Sequence, residues 1–151
     1  MPDLTGEEPF RPFRARRVAI GFAVAQAVVL LGLAVLAPGD GPIPWHWYDR
    51  VGMVVLAGAI AYVLLLFARL RATPEPDGLV VRNVVNVTRL EWPQIVAVRF
   101  GGGDPWATLD LADGDVLPVM AIQRADGERG RAEARRLATL VAAHTRTATD
   151  D

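Results

Sequence analysis

Three residue types are missing from this chain altogether: cysteine, lysine and serine. Without cysteine there can be no disulfide, thiolate nucleophile or cysteine-ligated metal, and the redox compartment is left undefined. Without serine and lysine, the commonest hydroxyl nucleophile, Schiff-base chemistry and the phosphate-binding lysine of a P-loop are excluded. All 16 basic residues are therefore Arg. Alongside abundant Ala, Gly, Pro and Val, this composition reads as the mark of a GC-rich genome and not as chemistry. Nor does charge of either sign predominate. The formal net charge is −1 over 151 residues, so no global basic field points to nucleic acid. Histidine occurs only at His46 and His144.

What is present is apolar and unevenly placed. "VAIGFAVAQAVVLLGLAVLA" at 18–37 and "VGMVVLAGAIAYVLLLFA" at 51–68 carry no charge. A bilayer-crossing helix needs about 20 mainly apolar residues, and both runs qualify. The first run exceeds the roughly 7–15 apolar residues of a cleavable signal and lacks an A-x-A ending, so it reads as an uncleaved anchor. Arg11, Arg14, Arg16 and Arg17 precede the first run, and Arg69 and Arg71 follow the second. The positive-inside rule then puts both termini in the cytoplasm and the connection outside. The expected organisation is a cytoplasmic N-terminal tail at 1–17, transmembrane helices at 18–37 and 51–68, and an external loop at 38–50. The compartment is the plasma membrane, and the bilayer itself is the first partner.

Within that loop, Trp45, Trp47 and Tyr48 are the amphipathic rings expected at the headgroup level, and they read as interfacial anchors. Gln26 and Tyr62 interrupt the two spans at similar depths counted from the cytoplasmic ends. Polar groups in hydrocarbon seek partners within a bundle, so these two are expected to face each other or a partner helix. Small residues at four-residue spacing (Ala19, Ala23, Ala27; Gly21, Ala25; Ala57, Ala61) permit close helix approach.

Beyond Arg71 the pattern changes to that of a polar domain. "ATPEPDG" marks a break and a tight turn. Leu79–Arg82 and Asn86–Leu90 read as paired strands around Asn83, and Leu70–Thr73 offers a further short strand. Ile95–Phe100 alternates with period two, as do Ala107–Leu111, and Asp113-Gly114 is a hairpin signal leading into Val116–Ile122. From Glu128 to His144, Leu137, Leu140, Val141 and His144 recur at helical spacing opposite Arg131, Arg135 and Arg136. Residues 145–151 read as a disordered tail. The fold class is thus a two-helix transmembrane hairpin followed by a small α+β domain of 5–6 antiparallel strands closed by a C-terminal helix.

"DGLVVRN", the Arg89-Leu90-Glu91-Trp92-Pro93-Gln94-Ile95 stretch and the terminal helix together resemble the bacterial pleckstrin-homology-like (PH) domain. More specifically they resemble the small two-span membrane proteins of high-GC Gram-positive bacteria of the low-molecular-weight protein antigen type. The resemblance covers 72–144 and implies a barrel with Trp92 and Ile95 packed inside at a turn between adjacent strands. It also implies about seven strands, more than the sequence shows, leaving a barrel that is partly open or completed by another chain. In the phosphoinositide-binding members the loop between the first two strands is basic. Here it is "PEPDG", so inositol-phosphate binding is disfavoured.

Candidate sites are few. Gly101, Gly102, Gly103, Asp104 and Trp106 form a glycine-rich connection without the G-K-[ST] ending or following helix of a phosphate loop, and read as a flexible connection between strands whose length and exposed Trp106 leave room for a protein contact. His46 and His144 fall on opposite sides of the membrane. Asp110, Asp113 and Asp115 surround a hairpin turn, where Asp is favoured for backbone reasons. Asn86-Val87-Thr88 matches a glycosylation pattern but lies on the cytoplasmic side. No nucleophile–base–orienter set can be assembled, so no catalytic, cofactor or metal residues are expected. The expected function is non-enzymatic: a cytoplasmic domain held at the membrane for interaction with a protein partner or another copy. An accessory subunit of a membrane transport or envelope complex, and a lipid-sensing module, are the alternatives.

Overall fold

A computed structural model of the chain describes residues 8–38 and 44–147. It divides into two compact units, Ala15–Ala68 and Met1–Arg14 with Arg69–Asp151.

The first unit is built on helices α1 (Phe13–Leu36) and α2 (Trp47–Ala68), both long and apolar enough to cross a bilayer. Few of their side chains are buried. Ala19, Ala23 and Ala34 are so on α1, and Ala57 on α2. Gly21 and Ala25 are exposed. Both helices start earlier than expected. Arg14, Arg16 and Arg17 are good helix formers and continue α1 toward its N-terminus, and Trp47–Arg50 form the first turn of α2 where a loop was expected. Of that loop, residues 39–43 lie outside the described residues.

The second unit has six antiparallel strands: β1 (Arg71–Glu75), β2 (Gly78–Arg82), β3 (Val87–Glu91), β4 (Ile95–Arg99), β5 (Trp106–Leu111) and β6 (Val116–Gln123). They form two three-stranded sheets, ordered β1-β2-β3 and β4-β5-β6. Helix α3 (Glu128–Thr147) packs on β4, on β6 and on the two short 3₁₀ turns at Trp92–Gln94 and Arg124–Asp126. The core contains Leu79, Val81, Ile95, Leu109, Val119, Ile122 and Leu137.

Local chemistry explains the corners. The β1–β2 turn ends at Gly78, where a Cβ would lie 1.9 Å from the Leu90 carbonyl oxygen, so only glycine lets β2 approach β3. At the Asp113-Gly114 turn, Gly114 takes φ 91° and the Asp115 N–H donates to Asp113 Oδ1 at 3.0 Å. Trp92 is buried where β3 passes into β4. Its indole N–H donates to the Glu75 and Pro76 carbonyls at 3.1 and 3.2 Å, and its ring stacks on His144 at 4.4 Å. His144 is thus part of the packing of α3 and lies within the helix, which runs on to Thr147. Residues 145–147, expected as tail, are helical, and 148–151 lie outside the described residues.

The other departure is at the N-terminus. The segment expected as a tail is, from Glu8, part of the domain. Phe10 forms an antiparallel bridge with Ala72 on β1, giving and receiving hydrogen bonds of 2.7 and 3.0 Å. Its ring is 1% exposed and lies under the Arg136 guanidinium at 4.3 Å, while Pro12 is also fully buried. A one-residue bridge has no periodicity, which is why hydropathy patterning missed it. It stands where a further strand would pair with the edge of β1.

Candidate functional site

The glycine-rich connection joins β4 to β5. Gly101, Gly102 and Gly103 all have positive φ (140°, 68° and 105°), which side-chain-bearing residues rarely adopt. Asp104 closes the turn by donating its N–H to the Gly101 carbonyl at 3.3 Å. Trp106 opens β5 half-buried, and the Arg124 N–H donates to the Pro105 carbonyl at 2.9 Å. These contacts make the loop one wall of a shallow groove of about 420 Å³. Gly103, Pro105 and Trp106 stand on one side, with Gln123, Arg124 and Ala125 on the other.

Beside this groove, Asp126 organises the N-terminal arm. Its buried carboxylate accepts the Phe13 and Arg14 N–H groups at 2.9 and 2.8 Å, capping the first turn of α1. Arg14 Nη1 donates to the Ala125 carbonyl at 3.1 Å, and the Arg129 guanidinium lies 4.7 Å from the Phe13 ring. Asp126 carried no sequence signal, because a cap supplied from more than a hundred residues away has no local motif. Asn83 is a comparable case. Its side chain donates to the Pro118 carbonyl at 2.7 Å and accepts the Met120 N–H at 3.2 Å, clasping the β2–β3 corner to β6.

The carboxylates around the Asp113 turn serve local structure. Asp110 pairs with Arg99 at 2.6 Å and Asp113 holds the turn. Among the described residues no three His, Asp or Glu side chains converge as a metal site.

In the helical unit, Gln26 and Tyr62 are not brought together. Gln26 Nε2 donates to the Ala57 carbonyl and to Ala23 in its own helix, both at 3.2 Å. Tyr62 lies five residues beyond Ala57, well over a turn, and is 63% exposed. Equal depth from the two ends was a poor guide because α1 begins at Phe13, ahead of its apolar run, whereas α2 ends with its run at Ala68. The Gln26 side-chain oxygen is buried without a donor among the described residues. At the other end of the hairpin, Trp45 is half-buried while Trp47 and Tyr48 are exposed. Tyr48 stacks on His46 at 4.9 Å and meets Trp47 edge-on at 6.0 Å. Arg50 donates to the Ala34, Val35 and Ala37 carbonyls, capping the C-terminus of α1.

Two three-stranded antiparallel sheets closed by one C-terminal helix, with Trp92 at the corner, accord with a family model described as "Bacterial PH domain" that matches residues 68–139. The same chain is 38% identical over 124 residues to uncharacterized proteins of Mycobacterium bovis and Mycobacterium tuberculosis, covering 82% of this chain and 80% of each relative. This chain belongs to the bacterial PH domain family. The match to the mycobacterial relatives is longer than the PH domain and extends into the helical hairpin that precedes it. No solved structure matches the chain.

Proposed function

We propose that this PH-domain protein is a non-enzymatic membrane protein whose hairpin spans the plasma membrane and whose domain works on the cytoplasmic side. Its task there is binding a protein partner or a second copy. The observation that carries the reading is the join between the two units. Helix α2 ends at Ala68 and β1 begins at Arg71, so only Arg69 and Leu70 connect the second apolar helix to the domain. The exposed apolar faces of α1 and α2, with residues such as Val18, Phe22 and Leu36, call for hydrocarbon around them. Both termini are cytoplasmic by the placement of Arg11, Arg14, Arg16, Arg17, Arg69 and Arg71, and Trp45, Trp47 and Tyr48 sit at the opposite interface. The contact surface on the domain is the loop Gly101–Asp104 with Trp106. The acidic β1–β2 turn, where Glu75 lies 3.6 Å from Arg89, argues against a headgroup-sensing role there.

A second reading, an accessory subunit of a transport or envelope complex, is favoured by Tyr62, whose exposed hydroxyl a foreign helix would satisfy. Photo-reactive groups at positions 106 and 62 in native membranes separate the two. The main reading predicts an identified protein cross-linked from position 106 and only lipid from position 62. Foreign transmembrane helices captured from position 62, with nothing from 106, would replace it by the second.

A further inference from the structure

Sheets expose unpaired backbone groups along their edge strands, and soluble domains usually blunt them. Three of the four edges here are treated in that way. β1 meets Phe10 and contains Pro74. β3 alternates charge through Arg89 and Glu91. β6 contains Pro118 and gives two of its backbone groups to Asn83. The edge of β4 is treated differently, by a bulge and by α3 lying alongside it. Its sequence, Ile-Val-Ala-Val-Arg, has no proline and no charge before Arg99, and Val96 is 64% exposed. A bulge at Val96 shifts its register with β5, while Ala97–Arg99 pair regularly, and no described strand lies on the far side.

That edge faces α3 across a cleft. Two adjoining hollows of about 320 and 310 Å³ share Val98 and Ala138, so they form one trough along the strand. It runs from Phe100 and Ala134 at one end to Val96 and Val141 at the other, with alanines along the α3 side. Small side chains on α3 leave room for a backbone to lie against β4. A five-residue strand is roughly 17 Å long, enough to pair with a short extended segment. No acidic residue lines either hollow, whereas Arg131 and Arg135 stand together at the Phe100 end. Arg131 also bonds Glu128, but the exposed Arg135 guanidinium has no partner among the described residues.

We propose that the cleft between β4 and α3 receives an extended segment of a partner protein, which adds to β4 as a further strand and sets an acidic residue against Arg131 and Arg135. Strand addition takes its affinity from the main chain and its selectivity from the pockets between alternate side chains. Charge decides the occupant. A second copy offering its own β4 has no acidic residue in that strand to set against Arg131 and Arg135, whereas an acidic segment complements them. This inference rests on the protein-interaction reading above and gives it a site.

The test uses the full chain in detergent micelles and two fluorescein-labelled heptapeptides of alternating valine and threonine, one headed by two aspartates and one by two arginines. The aspartate peptide is expected to bind about tenfold more tightly or better. Arg135→Glu should reverse that preference, and Ala138→Trp should remove binding of both. Both positions are exposed, and unchanged circular-dichroism melting verifies that the variants are folded. Equal affinity for the two peptides, no binding of either, or binding that survives Ala138→Trp overturns the proposal. So does a concentration-dependent dimer that Ala138→Trp dissolves, since the occupant would then be a second copy. Protein cross-linked from position 106 alongside any of those results leaves the interaction reading standing and removes only this site.

Discussion

In the helical hairpin, polar side chains find backbone carbonyls close by in the chain. Arg50 reaches back 13–16 residues to the end of α1, and Gln26 reaches 31 residues to Ala57. In the PH domain some of these bonds run further, and those of Asp126 far further. Asn83 crosses 35 and 37 residues to β6, and Asp126 crosses 112 and 113 to cap α1. The hairpin is therefore the more local object, and its two helices are visible from hydropathy although their starts are not. The domain is a non-local one, closed by residues from both sides of the hairpin's sequence. The comparison teaches that the two apolar helices are an insertion between an arm and its sheet, and not simply a prefix to a self-contained domain.

That contrast predicts where damage is large. Trp92→Ala removes a buried indole with two hydrogen bonds and a ring stack, and should cost about 3–5 kcal/mol. Its effect reads as loss of the domain's cooperative melting transition while helical content in micelles persists. Phe10→Ala, in a segment that sequence patterning left as tail, should cost a comparable or slightly smaller amount, about 3 kcal/mol, in the same assay. A result near zero would return the arm to the status of a tail and erase the comparison.

Much of the fold was legible because it is periodic. The two spans, the alternation in Ile95–Phe100, the Asp113-Gly114 hairpin and the stripe of α3 all stand out by spacing, and the position of Trp92 and Ile95 follows from the PH-like resemblance. What was not legible depends on single residues meeting at long range. Phe10 opposite Ala72, Asp126 beneath the first turn of α1 and Asn83 on β6 each leave one polar or aromatic residue in otherwise ordinary context. The Gly101–Trp106 loop was visible, but its opposite wall, Gln123–Ala125, was not. The β4–α3 cleft was hidden because it is made from the edge of a strand whose neighbours cannot be ordered from sequence.

Smaller effects sharpen the same contrast. Asp126→Ala strips two N–H groups of their acceptor and should destabilise the domain by about 1–2 kcal/mol, with earlier proteolysis near Arg14 as the marker. Tyr62→Phe should change hairpin stability by less than about 0.5 kcal/mol, since the hydroxyl meets no polar side chain of α1. A loss of 1 kcal/mol or more in native membranes, but not in micelles, would instead mark a foreign helix at that position.

The measurement closest to the central claim is amide hydrogen exchange on the full chain in micelles, read at Phe10 and Ala72. If the arm completes the sheet, both amides exchange as slowly as those of the β1–β2 ladder, and Phe10→Ala releases Ala72 together with Phe10. Free exchange at Phe10, with Ala72 unaffected by the substitution, would contradict the account.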